Sequence, residues 1–242
     1  MFRKNITFIY CIILLFIINI KSTCAMFSEH QNNIIDKIPT TNKVVYLTFD
    51  ACGGKNGSEL DMELVKFLIN NKIKSTIFVT SKFLLYKNNK EIIRELYNTG
   101  YFDIQNHGKN HKPASIDGKS IYGIKGTQNS KELEDEVLHS ANLILDIIGK
   151  MPTWYRSGTA YYDTEAIQII NNLGFSVAGF SVAVDGGTTF EKDVIVENIK
   201  NVKSGDILLI HINHPEKSNV RDGVIEGVGY LMSEGFEFEW LL

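Results

Sequence analysis

His107 and His111 are two imidazole side chains placed four residues apart, close to Gly108 and Pro113. On a single helical turn, residues at this spacing face the same way, so both rings would reach one cation. Imidazole nitrogens suit zinc, cobalt or nickel. The spacing therefore predicts a metal site, with a purely structural role for the pair as the alternative.

Asp50 ends a run of mostly β-branched and aromatic residues, 44–49, and Gly53 and Gly54 follow shortly after it. Such a run is typical of a buried strand, and the paired glycines indicate a tight turn. The pattern predicts a strand that delivers one carboxylate to a loop. An ordinary turn aspartate is the simpler interpretation of the same residues.

Three more polar side chains follow apolar runs later in the chain: Arg156, Asp185 and His211. An unpaired guanidinium beside two aromatic residues would be costly, so we expect Arg156 to have a carboxylate partner, either Asp50 or Asp185. For His211, a core histidine bonded to a backbone carbonyl is the alternative. Barrel enzymes draw catalytic groups from the C-terminal ends of several strands, so the pattern favours an active site.

Seven short apolar runs predict β-strands, at 44–49, 75–79, 102–106, 153–156, 175–180, 206–212 and 236–241. Six amphipathic patterns alternate with them and predict helices, at about 59–71, 88–98, 130–148, 163–173, 191–201 and 222–234. This alternation predicts an α/β fold of parallel βαβ units, either a closed or partly closed barrel or an open doubly wound sheet. No G-x-G-x-x-G or Walker sequence follows any strand, which argues against an open sheet with a nucleotide cofactor.

The segment 107–129 is the one long stretch without a clear helical or strand pattern. It contains a proline and several glycines and follows directly after a predicted strand. Loops of this length in compact domains are functional or disordered, so we expect one or the other here.

Residues 1–25 have the pattern of a signal peptide. Arg3 and Lys4 precede an apolar run at 6–20, and small residues at 23–25 suit a cleavage site. The run is shorter than a spanning helix needs, although an uncleaved anchor is the alternative. We therefore predict export to the periplasm, the cell wall or the medium, with 26–42 as a polar leader or linker and 43–242 as one catalytic domain.

Charge and cysteine content narrow the classes of partner. The formal net charge of −3 becomes more negative once the basic residues of the signal are removed, which argues against binding to nucleic acid or an anionic membrane. Two of the three cysteines lie within residues 1–25, which leaves Cys52 without an internal disulfide partner. Stability must therefore come from a packed core.

Four motifs occur in one order along the chain: Thr48-Phe49-Asp50, His107-x-x-x-His111, Arg156 after the fourth strand, and Leu208-Leu209-Ile210-His211. In order and spacing they resemble the motifs of the polysaccharide deacetylases, the NodB homology domain of carbohydrate esterase family 4. The resemblance covers about residues 44–242.

The resemblance implies a distorted seven-stranded (β/α) barrel that removes acetyl groups from N-acetylated sugars. It also implies a divalent metal, zinc with cobalt or nickel as alternatives, held by two histidines and an aspartate. Carried over by position, Asp50 is the general base and His211 the general acid. His107 and His111 are metal ligands, and Arg156 holds Asp50.

The chain departs from the family pattern at several positions. The second aspartate of the family's Thr-Phe-Asp-Asp motif, which is the third metal ligand, is replaced by Ala51, and a usual serine or threonine is replaced by Gly108. The missing ligand position falls to water, substrate, Cys52, Asp61 or Asp185. Alternate residues of a strand point the same way, so Cys52 shares the side of Asp50, unless it is a small buried hydrophobe.

Three functions remain open at this point. The first is a metal-dependent deacetylase acting on an N-acetylated glycan such as peptidoglycan or a chitin-like polymer. The second is a metal-independent amidohydrolase on the same fold, and the third is a non-catalytic glycan-binding relic. Trp154 and Tyr161 are candidates for stacking on sugar rings, with a core position as the alternative. The particular glycan, its linkage and the oligomeric state are not specified by these patterns.

Overall fold

The computed structural model describes residues 34–54 and 57–241. The predicted signal peptide, 1–25, and residues 26–33 of the predicted leader lie outside these ranges. Within them, no helix is both long enough and apolar enough to cross a membrane.

Eleven strands occur in the described part of the chain, and nine of them form one sheet. The strands are β1 (Ile34–Ile35), β2 (Val44–Ala51), β3 (Ser75–Val79), β4 (Phe102–Asn106), β5 (Ser120–Ile121), β6 (Ile124–Lys125), β7 (Trp154–Tyr155), β8 (Ser176–Ala178), β9 (Val182–Ala183), β10 (Ile207–His211) and β11 (Glu237–Phe238). The sheet has the order β1-β8-β7-β4-β3-β2-β10-β9, with β11 added beside the start of β2. Its pairings are parallel, whereas β5 and β6 form a separate antiparallel hairpin.

The sheet curls into a distorted barrel because one segment of chain pairs with strands far apart in the sheet order. β8 pairs with β7, and after only residues 179–181 β9 pairs with β10. All seven predicted strands are present in the sheet. The predicted α/β fold with a distorted (β/α) barrel is therefore confirmed.

The described ranges contain seven helices, six of which match the predicted ones. They are α1 (Met62–Asn70), α2 (Ser81–Leu84), α3 (Asn89–Asn98), α4 (Ser130–Ile148), α5 (Thr164–Asn172), α6 (Lys192–Lys200) and α7 (Ser218–Ser233). The one-turn helix α2 was not predicted. The bounds of α4 agree with the prediction, since Asn129 caps its start and Gly149, with φ +73°, ends it.

Helix α7 begins at Ser218, four residues before the predicted 222, and it contains glycines, which lower helix propensity. Two of these glycines allow α6 and α7 to pack closely. A Cβ at Gly223 would lie 2.8 Å from Ile195, and one at Gly227 would lie 2.8 Å from Ile199. Helix packing therefore accounts for residues that look unfavourable in isolation.

The end of the predicted leader belongs to the folded domain. β1 pairs in parallel with β8. The Nζ of Lys37 lies 2.8 Å from Oδ1 of Asp206, and the amide of Ile38 donates to the carbonyl of Gly205 at 2.8 Å. The prediction of 26–42 as a linker is thus wrong for residues from Ile34 onward, because sheet pairing, rather than composition, decides their structure.

The core lies on both faces of the sheet. One large apolar cluster packs the helices against strands such as β2, and a smaller one contains Phe78, Trp154, Ala178, Ile207 and Leu241. Seven of the eight residues of β2 are buried. Burial on both faces explains why β2 reads as a continuous apolar run.

Leu208 lies on β10 and is fully buried, so its replacement tests this description of the core. We expect Leu208→Ala to lower the free energy of unfolding by about 2–5 kcal/mol through lost burial and the cavity left behind. Leu138, on the outer face of α4, is 36% exposed, and Leu138→Ala is expected to change stability by under about 0.5 kcal/mol. Urea unfolding of both variants checks this, and equal losses would contradict the assignment of the core.

Candidate active site

Asp50 and Arg156 form a buried ion pair at the C-terminal end of the barrel. Nη1 of Arg156 donates to Oδ1 of Asp50 at 2.9 Å, and Nη2 donates to the carbonyl of Gly179 at 2.8 Å. The guanidinium carbon lies 4.2 Å from the ring centroid of Phe78. Arg156 therefore has the carboxylate partner expected from the sequence, and of the two candidates it is Asp50.

The environment of Asp50 favours its charged form. Burial is the largest influence and raises the pKa of Asp50, but the charges of His107, Arg156 and His211 together outweigh it. The pKa of this carboxyl therefore lies below its ordinary value. Only Oδ1 is engaged by Arg156, and Oδ2 lies 3.5 Å from Nε2 of His107. The second oxygen is thus directed toward the histidines.

His107 follows β4 directly and is oriented by the backbone of the neighbouring strand. Its Nδ1 lies 2.8 Å from the carbonyl oxygen of Arg156, which can only accept, so Nδ1 carries the proton. The other ring nitrogen, Nε2, faces Asp50 and Cys52 and offers a lone pair to a cation when the ring is neutral. Bonds of this kind are typical of metal-binding histidines, because they set the tautomer and the ring orientation.

His111 lies on a strained turn that α4 and the loop after β7 hold in place. Its φ is +61°, a left-handed conformation uncommon for residues other than glycine. One carboxylate oxygen of Glu136 accepts from the amides of Asn110 and Lys112, the two neighbours of His111. A Cβ at Gly158 would lie 2.2 Å from the backbone of His111. His107 and His111 therefore come together across a loop rather than on a helical turn. Their ring centroids lie 4.9 Å apart.

The departure at Gly108 has a structural reason. Its φ is +86°, and a Cβ there would lie 2.7 Å from the Glu136 carboxylate. A larger residue at Gly108 would displace the acid that holds the loop of His111. Burial is the largest influence on Glu136 and raises its pKa above the ordinary value.

The thiol of Cys52 lies beside the imidazoles of His107 and His111. One ligand atom each from Cys52, His107 and His111 lies within 4.8 Å of the others. The Sγ atom lies 3.7 Å from Nε2 of His107. Burial raises the pKa of this thiol, but the imidazoles of His107, His111 and His211 around it hold the pKa well below its usual range. Ala51, by contrast, is fully buried in the core and faces away from the site.

His211 closes the site from β10, which pairs with β2 so that His211 lies beside Asp50. Nδ1 of His211 donates to Oδ1 of Asp185 at 3.1 Å, and the backbone amide of His211 donates to Oδ2 at 2.7 Å. Burial lowers the pKa of His211, yet the bonds to Asp185 and Cys52 and their charges raise it well above its ordinary value.

The other candidate ligands have different partners. Asp185 is fully buried and binds His211, and its Oδ1 also accepts from the amide of Gly187. Asp61 caps the start of α1 and lies 3.4 Å from Arg221. Neither carboxylate belongs to the cluster of Cys52 and the two histidines.

The two aromatic residues predicted to contact sugar differ in position. Trp154 is 4% exposed and packs in the core, so the core alternative describes it and stacking on a sugar ring is sterically blocked. Tyr161 is half-buried, and Nζ of Lys119 lies 5.4 Å from its ring centroid. Lys119 immediately precedes the β5–β6 hairpin, which therefore brings the patternless segment 107–129 close to Tyr161.

Two contacts of the site were not predicted. Glu136 lies on the buried side of α4 between apolar residues, and an acid inside an apolar stripe was the available signal. The pairing of Asp185 with His211 had only a positional signal, because both follow predicted strands.

The resulting arrangement places an ionised carboxylate and a protonated imidazole around a group of two imidazoles and a thiol. Such a site suits hydrolysis by general acid and base catalysis beside a bound cation.

The chain resembles known proteins in its sequence and in its fold. The profile of the polysaccharide deacetylase family matches residues 37–178. A peptidoglycan-N-acetylglucosamine deacetylase from Bacillus cereus is 20% identical over 205 residues, which cover 84% of this chain and 88% of that protein.

Two solved structures share the fold at low sequence identity. A family 4 carbohydrate esterase from Bacillus subtilis has a TM-score of 0.69 and 22% identity, and the match covers 90% of this chain and 86% of that one. A CE4 family pseudoenzyme from Bacillus anthracis has a TM-score of 0.71 and 17% identity, with coverage of 87% and 68%. The same architecture thus occurs in an esterase family protein and in a pseudoenzyme.

The hydrogen bonds that Glu136 accepts from the loop of His111 can be tested by substitution. We expect Glu136→Ala to lower the free energy of unfolding by about 1–3 kcal/mol, because the amides of Asn110 and Lys112 lose their acceptor. Glu136→Gln keeps a carbonyl oxygen in the same place and should lose less. The exposed neighbour Asp135, replaced by alanine, serves as the control. Equal denaturant midpoints for Glu136→Ala and the control would refute the role.

Proposed function

The chain belongs to the polysaccharide deacetylase family, and we propose that it is a metal-dependent hydrolase that removes N-acetyl groups from an N-acetylated polysaccharide. One observation carries the proposal. Two separately held groups, Asp50 on Arg156 and His211 on Asp185, flank the ligand atoms of His107 and His111. This is the arrangement that amide hydrolysis needs, with a base and an acid on either side of one reacting carbon.

The donor set fits a divalent cation. His107 and His111 offer imidazole nitrogens, and the thiol of Cys52 lies beside them, which is a combination suited to zinc, with cobalt or nickel as substitutes. When bound there, such a cation would polarise the acetyl carbonyl and make a nearby water more acidic.

Asp50 acts as the general base. Its carboxylate is ionised because its pKa is held below the ordinary value, and Oδ2 faces the site while Arg156 holds Oδ1. Oδ2 takes the proton of the attacking water. Arg156 thus positions Asp50, and its hydrogen bond leaves only one oxygen for proton transfer.

His211 acts as the general acid. An amide nitrogen is a poor leaving group until it is protonated, so the reaction needs a proton donor on the sugar side. The raised pKa of His211 keeps its imidazole protonated near neutral pH. Because Asp185 binds Nδ1, the proton available for transfer is the one on Nε2.

Peptidoglycan or a chitin-like polymer is the proposed substrate. The Bacillus cereus relative named above acts on peptidoglycan N-acetylglucosamine. Export directed by residues 1–25, which we propose from the sequence, would bring the chain to such a polymer. Tyr161, which is half-buried and whose carbonyl accepts from the hydroxyl of Ser157 next to Arg156, is the proposed stacking residue. Proteins of this fold include a pseudoenzyme, so activity itself is the first measurement to make.

A second candidate function is favoured by the position of Cys52. The imidazole of His211 helps to lower the pKa of the Cys52 thiol, and Asp185 is hydrogen-bonded to Nδ1 of that ring. A Cys–His–Asp arrangement would act without a metal: the thiolate attacks the acetyl carbonyl, His211 protonates the departing amine, and water hydrolyses the thioester to acetate. This is the metal-independent amidohydrolase left open by the sequence.

Acetate release from acetylated chito-oligomers and from peptidoglycan tests the base and the acid. We expect Asp50→Asn and His211→Gln each to lower the rate at least ~100-fold, the usual contribution of a positioned acid or base. His139 is an exposed histidine on α4, and His139→Ala should leave the rate unchanged. Unfolding curves confirm that the variants are folded. Full activity of Asp50→Asn would remove the base from the mechanism, and no release by the wild type would favour the relic.

Metal removal separates the two mechanisms. If a cation is required, dialysis against a chelator abolishes acetate release, added zinc restores it, and His107→Ala is inactive throughout because a nitrogen ligand is lost. If Cys52 is the nucleophile, the chelated protein stays active and iodoacetamide abolishes its activity. Activity that survives both chelation and His107→Ala would refute the metal-dependent mechanism.

A further inference from the structure

We propose that Cys52 is the third protein ligand of the cation, so that the site is a Cys–His–His centre rather than one with a carboxylate. This inference rests on the proposed function, which places a cation at His107 and His111. It further implies that the site prefers zinc or cobalt to magnesium, calcium or manganese.

The distance between the donor atoms of Cys52 and His107 is that of two ligands around a single small ion. With bond lengths of about 2.3 Å to sulfur and about 2.0 Å to nitrogen in tetrahedral geometry, sulfur and nitrogen ligands of zinc lie about 3.5 Å apart. The distance from Sγ of Cys52 to Nε2 of His107 is 3.7 Å. The His111 donor lies within 4.8 Å of both. The three donors therefore form one cluster, in which Cys52 and His107 have the spacing of zinc ligands.

The backbone selects Cys52 rather than Ala51. β2 continues through Ala51, which pairs with Val79 on β3, so the side chain of Ala51 enters the core and the next one returns to the side of Asp50. The hydroxyl of Thr80 donates to the carbonyl of Cys52 at 2.7 Å and fixes that peptide. A ligand at position 51 would therefore point away from the histidines.

Other residues of the chain hold the donors in place. The carbonyl of Arg156 accepts a hydrogen bond from Nδ1 of His107, which leaves Nε2 as the nitrogen that faces the site. Glu136 holds the turn on which His111 lies. Metal sites use hydrogen-bond partners of this kind to orient their ligands. Histidines that only packed beside a core cysteine would not need them.

No carboxylate of the described residues belongs with Cys52, His107 and His111 to this cluster of donor atoms. Asp50 is bound by Arg156, and Asp185 is bound by His211. A thiolate is a soft ligand that suits zinc and cobalt, whereas magnesium, calcium and manganese prefer oxygen. Three protein ligands also leave the fourth tetrahedral position open, as catalytic zinc sites require.

Cobalt binding reports the thiolate ligand without any assay of activity. The purified full chain, stripped with a chelator, is titrated with Co²⁺ and followed by absorption. We expect a near-ultraviolet sulfur-to-cobalt charge-transfer band in the wild type. Cys52→Ser should lack this band and bind Zn²⁺ at least ~10-fold more weakly, since even the partners of ligands change affinity by roughly 10- to 100-fold.

Two further variants keep the test decisive. Cys52→Asp offers an oxygen in the same place. Its visible absorption should show that it binds Co²⁺, but the sulfur band should be missing. His139→Ala, an exposed histidine outside the cluster, should behave as the wild type does. Circular dichroism confirms that each variant is folded, and Cys52→Ala replaces Cys52→Ser if the latter is not. A wild type that binds Co²⁺ without the sulfur band, or a folded Cys52→Ser with unchanged Zn²⁺ affinity, would overturn the proposal.

The same samples distinguish failure of this inference from failure of the proposed function. A sulfur band without acetate release from any glycan would keep Cys52 as a ligand and remove the deacetylase. Metal-dependent acetate release with unchanged Zn²⁺ affinity in Cys52→Ser would keep the deacetylase and remove Cys52. Activity that survives chelation but is abolished by iodoacetamide would overturn the ligand role in favour of the nucleophile.

Discussion

The side chain of Arg156 is a positive charge without access to water, and the geometry of the site depends on how that charge is satisfied. Its guanidinium binds Asp50 at the end of β2 and the carbonyl of Gly179 in the link between β8 and β9. Its own carbonyl accepts from His107 after β4. Removing one partner of a buried ion pair costs about 3–5 kcal/mol, so these strand ends are tied to one another by a strong constraint.

The division of labour between the oxygens and nitrogens of the site follows from these bonds. Because Arg156 takes Oδ1 of Asp50, Oδ2 is the oxygen left for chemistry. In the same way Nδ1 of His211 is hydrogen-bonded to Asp185, and Nδ1 of His107 is hydrogen-bonded to the carbonyl of Arg156. Each of these side chains therefore presents one defined atom to the centre, which is the preorganisation that catalysis by proton transfer requires.

The βα alternation and the polar residues that end the apolar runs predicted most of this architecture, because both depend on local periodicity. Features that depend on contacts between residues far apart in the sequence could not be predicted from it. Trp154 and Tyr155 are both buried, and a strand covered on both faces has no alternation to show which ring faces a ligand. The end of β2 lies at Ala51, two residues past the predicted limit, and this shift decides which side chain faces the histidines. Glu136 acts on a loop 24 to 26 residues away, which no spacing rule describes.

The buried charges also bear on whether this member of the family is an enzyme. Ion pairs inside a protein are weak contributors to stability, since well-packed apolar residues in their place are often neutral or better. Yet this chain buries two such pairs side by side, Asp50 with Arg156 and His211 with Asp185, and leaves one atom of each facing the same centre. A surface that only holds a glycan has no use for a carboxylate with a lowered pKa beside an imidazole with a raised one. Groups with pKa values pushed apart within one site are common where acid and base catalysis occurs, and this is consistent with the proposed hydrolase.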